Sequence, residues 1–168
     1  MVSPAPYNMK IAITLDGIIS SKHYTPEMSE VDFLNQVCTE DGWYAINRWF
    51  FSGHDLLLIS PRPKNDITER WLNEWAIIYS NLILDTPLDQ HINVASANKC
   101  DMIVIGDKRS ASFPSDSCVV FGLKSDHLQF TPSKFINYIG RLNELDEVIE
   151  QWYLQKKRFA ASLARKRK

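Results

Sequence analysis

Polar side chains that could take part in chemistry stand at the ends of three short apolar runs. Asp16, Ser60 and Asp107 each follow or end such a run. A carboxylate can act as a general acid or base and can bind a hard cation, and a hydroxyl can hold the oxygens of an anion. The sequence therefore offers candidate groups for acid–base chemistry, provided that the fold brings the three run ends together.

The elements that would position these side chains alternate between β-rich runs and helical stretches. The predicted strands cover residues 10–15, 55–60, 81–84, 102–105 and 118–121. The predicted helices cover residues 30–51 (with a break near Asp41 and Gly42), residues 66–75, and a long C-terminal region from 132 to about 164. This alternation implies βαβ units and a mainly parallel sheet. Because chemistry in such sheets lies at the carboxyl ends of the strands, the loops after Leu15, Ile59 and Ile105 should share one edge.

Four motifs resemble those of the haloacid-dehalogenase-like (HAD-like) phosphatases, in the same order along the chain. Residues 10–17 resemble the first motif, an apolar strand followed by Asp-x-Asp-Gly. Residues 58–63, Leu-Ile-Ser-Pro-Arg-Pro, are similar to the second motif, a strand that ends in Thr or Ser. Lys99 falls where the lysine of the third motif is expected. Residues 102–107 resemble the fourth motif, a strand that ends in one or two acids.

This resemblance implies a fold and a chemistry. The fold is a three-layer α/β architecture with a mainly parallel, Rossmann-like sheet, here with a long C-terminal helix. In the family an Asp attacks a phosphoryl group, a second Asp two positions later acts as acid and base, and a hydroxyl and a Lys hold the phosphoryl oxygens. Magnesium held by carboxylates offsets the remaining charge. Too few residues follow Gly17 for a cap domain, so we predict a single capless domain over residues 1–168, with an open site suited to large partners.

The sequence departs from the family at the decisive position, because Thr14 stands where the nucleophilic Asp is expected. A hydroxyl at neutral pH is a poor nucleophile unless a base lies beside it. The fourth motif reads Gly106–Asp107 and lacks a second acid at that position. We therefore predict that the protein is not an enzyme but a pseudo-phosphatase.

The candidate site residues are then relics of a catalytic site: Thr14, Asp16, Ser60, Lys99 and Asp107. Asp16 and Asp107, with Asp116 as a further candidate, are the remaining magnesium ligands, so any magnesium binding should be weak, and no other cofactor is expected. Each residue also has a plainer explanation. Lys99 could pair with Asp16 or Asp107 and simply neutralise the pocket, and Ser60 could cap the strand end.

Charge is unevenly distributed along the chain. The first 150 residues hold 12 basic and 20 acidic residues, a net charge of −8. The segment 151–168 has no acidic residue and seven basic ones: Lys156, Lys157, Arg158, Arg165, Lys166, Arg167 and Lys168. A basic helix end of this kind attracts nucleic acid or an acidic protein surface. The plainer alternative is a solvated helix end whose cations favour the negative end of the helix dipole.

These observations lead to three hypotheses about function. The first is a catalytically inactive HAD-fold protein that binds a macromolecule, DNA or a protein such as RNA polymerase; a phage regulator of host transcription would be one such protein. The alternative is an active, magnesium-dependent capless phosphatase that acts on nucleotides or nucleic-acid ends. The third is a structural or oligomer-forming protein, and the oligomeric state itself stays open. Three widely spaced cysteines and the absence of a long apolar run predict a cytoplasmic location and no membrane partner.

Overall fold

The computed structural model describes residues 8–111, 118–124 and 135–166. Its strands are β1 (Lys10–Thr14), β2 (Asp55–Ile59), β3 (Asn81–Ile83), β4 (Met102–Ile105), β5 (Val119–Leu123) and β6 (Ile136–Ile139). They form one parallel sheet in the order β3-β2-β1-β4-β5-β6. The helices are α1 (Glu30–Leu34), α2 (Glu40–Phe51), α3 (Ile67–Glu74), α4 (His91–Ala97) and α5 (Leu145–Lys166).

Successive residues of the central strands point to opposite faces of the sheet, and each face has its own core. Ile11 and Ile13 of β1 join a core to which α1, α2, α3 and α5 contribute. Ala12, between them, joins a second core that includes Ile92 and Ala95 of α4. Strands that are buried on both faces read as continuous apolar runs, which is why the sequence shows them clearly. The predicted three-layer, mainly parallel α/β architecture is confirmed.

Two predicted boundaries were wrong. Residues 136–139 were assigned to the long C-terminal helix, but they form β6, which pairs with β5. Ile136 and Ile139 have the apolar spacing of one helix face, whereas in β6 they pack into the two cores on opposite faces of the sheet. The break between the first two helices lies at residues 35–39, because Thr39 caps α2 by accepting a hydrogen bond from the Gly42 backbone N–H.

Helix α5 is fixed to the body over its first half and then runs past it. Trp49 Nε1 donates to Asp146 Oδ1 at 2.7 Å, and Arg48 Nη2 lies 2.9 Å from the same oxygen. Further along, Lys156 Nζ lies 2.7 Å from the Asp101 carboxylate. Beyond this contact every residue of α5 is exposed except Ala160, which is half-buried; the side chain of Phe159 is 66% exposed. The long C-terminal helix is confirmed, and its last turns lie outside the core.

No helix among the described residues is both long and apolar enough to cross a lipid bilayer. All three cysteines, Cys38, Cys100 and Cys118, are buried free thiols. Three residues named above lie outside the described residues: Asp116, Arg167 and Lys168.

Candidate functional site

The loops after β1, β2 and β4 meet at the carboxyl edge of the sheet, as the parallel arrangement requires. Ser60 Oγ, after β2, donates a hydrogen bond to Asp16 Oδ2 at 2.7 Å. From the third loop, the Gly106 backbone N–H donates to Thr14 Oγ1 at 3.3 Å. Four of the five predicted site residues, including Asp107 directly after Gly106, therefore lie at this one edge.

The most buried charge at this edge is Asp16, and an arginine neutralises it. Arg62 Nη2 lies 2.7 Å from Asp16 Oδ1, and both side chains are almost fully buried. The Arg62 guanidinium also lies 3.5 Å from the centre of the Phe33 ring, a cation–π contact. Burial raises the pKa of Asp16 above its ordinary value, and the charge of Arg62 and the hydrogen bond from Ser60 oppose that rise.

Asp107 has its own arginine. Both Asp107 oxygens accept hydrogen bonds from Arg109, the shortest at 2.6 Å, and the Arg109 backbone N–H donates to the same carboxylate. His23 Nδ1 lies 3.6 Å from Asp107 Oδ2. Burial alone would raise the pKa of Asp107, but the hydrogen bonds and charge of Arg109 outweigh it and hold that pKa below its ordinary value. Arg109 in turn donates to the Tyr24 carbonyl, which ties this pair to the loop after β1.

Thr14 is a buried strand residue whose hydroxyl is engaged with the backbone. Its Oγ1 donates to the Val104 carbonyl at 3.4 Å and accepts from the Gly106 N–H. These contacts join the end of β1 to β4. A hydroxyl nucleophile needs a hydrogen bond to a base, whereas both of these partners of Thr14 Oγ1 are backbone groups.

Lys99 does not belong to this site, and the predicted pairing with Asp16 or Asp107 was wrong. Lys99 comes just before β4, and residues before a strand of a parallel sheet lie at the amino edge, opposite the site. The neighbouring Asp101 N–H donates to the carbonyl of Lys10, the first residue of β1. The Lys99 side chain is exposed, and its backbone adopts a left-handed conformation at the end of α4 (φ 59°).

Sequence reasoning missed both cations that face the carboxylates. Arg62 stood inside the second motif, between two prolines, and Arg109 follows Asp107 by two positions. The available signal was a basic residue within four positions of a strand end. The approach of His23 to Gly17 was missed as well: the φ of Gly17 is 83°, and a Cβ there would lie 2.4 Å from the His23 ring. The same ring lies 3.6 Å from Asp107.

The residues present do not fit a resident magnesium ion of the kind that the fold family implies. Magnesium requires several oxygen ligands at one point. Asp16 is engaged by Arg62 and Ser60, and Asp107 is engaged by Arg109. Among the described residues no three His, Cys, Asp or Glu side chains converge as a metal site would need. The weak magnesium binding expected at Asp16 and Asp107 stays a prediction that this geometry does not support.

Comparison with known proteins identifies the fold. No protein-family model matches the sequence, and a search of curated proteins finds no match. The structure is similar to a D,D-heptose 1,7-bisphosphate phosphatase from B. bronchiseptica, crystallised with magnesium and phosphate (TM-score 0.61, 11% identity, 85% of this chain and 98% of that chain). It is also similar to a 3-deoxy-D-manno-octulosonate 8-phosphate phosphatase from Moraxella catarrhalis (TM-score 0.51, 18% identity, 94% of both chains). A HAD-like phosphatase from Mesorhizobium loti gives a TM-score of 0.56 at 12% identity over 92% of this chain and 90% of that chain.

At these identities the likeness establishes the fold alone, which is that of the HAD-like phosphatases.

The Asp16–Arg62 pair yields a prediction about stability. Arg62→Met leaves Asp16 buried with the Ser60 hydrogen bond but without a compensating cation, and breaking a buried ion pair in this way costs about 3–5 kcal/mol of unfolding free energy. Adding Asp16→Asn to Arg62→Met removes the unpaired charge and should recover at least about 1 kcal/mol of that loss. Urea denaturation of the single and double variants measures both quantities.

Arg70→Met is the matched control, because both side chains of the Arg70–Glu74 pair are more than half exposed and its loss should cost about 1 kcal/mol or less. The interpretation of the Asp16–Arg62 pair is contradicted if Arg62→Met is as stable as the Arg70 variant, or if the second substitution recovers nothing.

Proposed function

We propose that the protein is a HAD-fold protein without phosphatase activity that acts by binding an anionic macromolecule. The observation that carries this proposal is the buried ion pair between Asp16 and Arg62. Asp16 occupies the position of the family's general acid and base. A carboxylate held by Arg62 on one oxygen and by Ser60 on the other is poorly placed to exchange protons with a substrate.

The other requirements of phosphoryl transfer point the same way. Thr14 stands at the position of the nucleophile, and its hydroxyl is hydrogen-bonded to the backbone of Val104 and Gly106. The carboxylates of Asp16 and Asp107 each have an arginine partner, so their charges are already balanced without a metal ion. The site keeps the scaffold of a phosphatase, but its described residues offer no free nucleophile, no free base and no open metal site.

The basic end of α5 supplies the binding surface in this proposal. Four of its cations are exposed in the described part of the chain: Lys157, Arg158, Arg165 and Lys166. Lys156, which belongs to the same group of basic residues, instead lies against Asp101. Phosphate contacts give affinity and steep salt dependence but no reading of base sequence. We therefore propose DNA as the partner, bound without sequence preference.

An acidic face of a protein such as RNA polymerase would use the same cations. The hypothesis of a phage regulator of host transcription stays a prediction, because none of the structural neighbours named above is a transcription regulator. A cytoplasmic location also stays a prediction, and the three buried free thiols agree with a reducing compartment.

An active phosphatase is the second candidate function, and one observation favours it. Asp16, Ser60 and Asp107 do gather at the edge where HAD-like enzymes work, and the B. bronchiseptica neighbour was crystallised with magnesium and phosphate. Under this alternative the arginines would orient a phosphoryl group, and Asp16 would have to leave Arg62 before it could act.

An assay of aryl phosphate hydrolysis separates the two candidates. We expect the purified protein to release no phosphate above the buffer blank in the presence of magnesium, because the nucleophilic Asp and its bond to the metal are both missing, and Asp16 and Asp107 are paired with arginines. Loss of such groups typically costs several orders of magnitude in rate. The control is Asp16→Asn, prepared identically. Magnesium-dependent turnover that this substitution abolishes would establish the phosphatase and refute the proposal.

A DNA-binding titration tests the other half of the proposal. We expect weak binding of a fluorescent duplex that falls by about 100-fold between roughly 50 and 200 mM salt, as about four neutralised phosphates would give. Replacing the four exposed α5 cations with Gln should abolish binding, which fluorescence anisotropy measures. The matched control removes four exposed cations from the body: Lys64, Arg70, Lys99 and Arg141.

Equal binding by the two fourfold variants would show that net charge, and not the helix end, attracts the DNA. Absence of binding by the wild-type protein at low salt would remove DNA as the partner.

A further inference from the structure

Helix α5 has a second surface that faces solvent along the whole helix. Its inner face carries Leu145 and Ile149, which are buried in the core. Residues three and four apart on a helix share a face, and one such series runs along the exposed side. Its members are Glu147, Glu150, Leu154, Arg158, Ala161 and Arg165, and all of them are exposed. We call this series the outer stripe.

The outer stripe is divided by charge. Both charges before Leu154 are negative, both after it are positive, and Leu154, 39% exposed, separates the two halves. The helix dipole favours acids in the first turn and bases in the last, but its effect falls off within one turn. Glu150 and Arg158 lie further than one turn from the ends of Leu145–Lys166, so the dipole does not account for them.

These two charges have no ion-pair partner within the described part of one chain. Ion pairs there involve other residues, and Glu150 and Arg158 are in none of them. The two residues lie eight positions apart, which at 1.5 Å per residue is about 12 Å along the helix, too far to pair with each other. The outer stripe therefore carries two opposite charges, Glu150 and Arg158, that form no ion pair within the described residues of one chain.

We propose that a second copy of this chain docks on the outer stripe, with the two α5 helices antiparallel about a two-fold axis at Leu154. Glu150, four residues before the axis, then meets Arg158 of the second copy, four residues after it, and the symmetry makes this pair twice. Glu147, seven residues before the axis, faces Ala161, whose small side chain lets the helices approach closely. The two Leu154 side chains meet on the axis.

Charge complementarity favours a second copy of this chain as the partner of the outer stripe. A two-fold interface must be self-complementary, and the stripe becomes so when the partner helix is reversed. A parallel pairing would instead place Glu150 beside Glu150 and Arg158 beside Arg158. This inference does not rest on the proposed function. Arg165 and Lys166 lie at the two ends of the paired helices, where they remain accessible to an anionic partner.

The interface is small and mostly polar, so the dimer is weak. We expect a dissociation constant of about 10 μM to 1 mM, as for small transient interfaces. Added salt should weaken the dimer, because its ion pairs are near the surface.

Sedimentation equilibrium of the full-length protein over this concentration range tests the proposal through a charge swap. Glu150→Arg and Arg158→Glu should each abolish the dimer, because each places like charges opposite one another. The double variant restores both pairs in reversed order and should dimerise to within a few-fold of wild type. Far-UV circular dichroism confirms that each variant is folded.

The matched control is the pair Glu27→Arg and Lys64→Glu, which makes the same net-charge changes at positions on the body. It should leave the dimer unchanged. A wild-type protein that is monomeric throughout, single variants that dimerise normally, or a double variant that stays monomeric would each overturn the proposal.

Discussion

A carboxylate as deeply buried as Asp16 needs a compensating charge, because burial disfavours its ionised form. In this protein Arg62 provides that charge at 2.7 Å, and an arginine cannot lose its proton under ordinary conditions. Arg62 is itself held by the Phe33 ring of α1. The segment between β1 and α2 therefore depends on the same ion pair that neutralises the site.

The second carboxylate at this edge follows the same rule with a different partner. Arg109 holds both oxygens of Asp107 and reaches the Tyr24 carbonyl, so it connects the loop after β4 to the loop after β1. The two arginines thus balance the charges of Asp16 and Asp107. A phosphatase of this fold would use a metal ion for part of that neutralisation, whereas in this protein the two arginines supply it.

The sequence predicted the parts of the site that follow from topology. Asp16, Ser60 and Asp107 converge because parallel strands end at one edge, and the apolar runs identified three of those ends correctly. Lys99 was misplaced because its position was taken from a motif, whereas its place just before β4 puts it at the opposite edge. Ile136 and Ile139 were misassigned because residues three apart share one face of a helix, whereas in β6 they pack into the two cores on opposite faces of the sheet.

The ion pairs were beyond sequence reasoning for a different reason. Arg62 was visible in the second motif, but the order of residues does not show that its side chain contacts Asp16. The two residues follow different strands, β2 and β1. That contact depends on how the loops after β1 and β2 pack against α1. Pairings that depend on tertiary packing cannot be obtained from residue type and spacing alone.

Magnesium titration tests the central claim most directly, because it asks whether the carboxylates are already neutralised. Thermal unfolding is followed with magnesium chloride raised to a concentration well above that of the protein, against sodium chloride of equal ionic strength. A ligand that binds only the folded state raises the melting temperature by mass action. We predict the same melting temperature in both salts; a saturable rise with magnesium that Asp107→Asn abolishes would contradict neutralisation by the arginines.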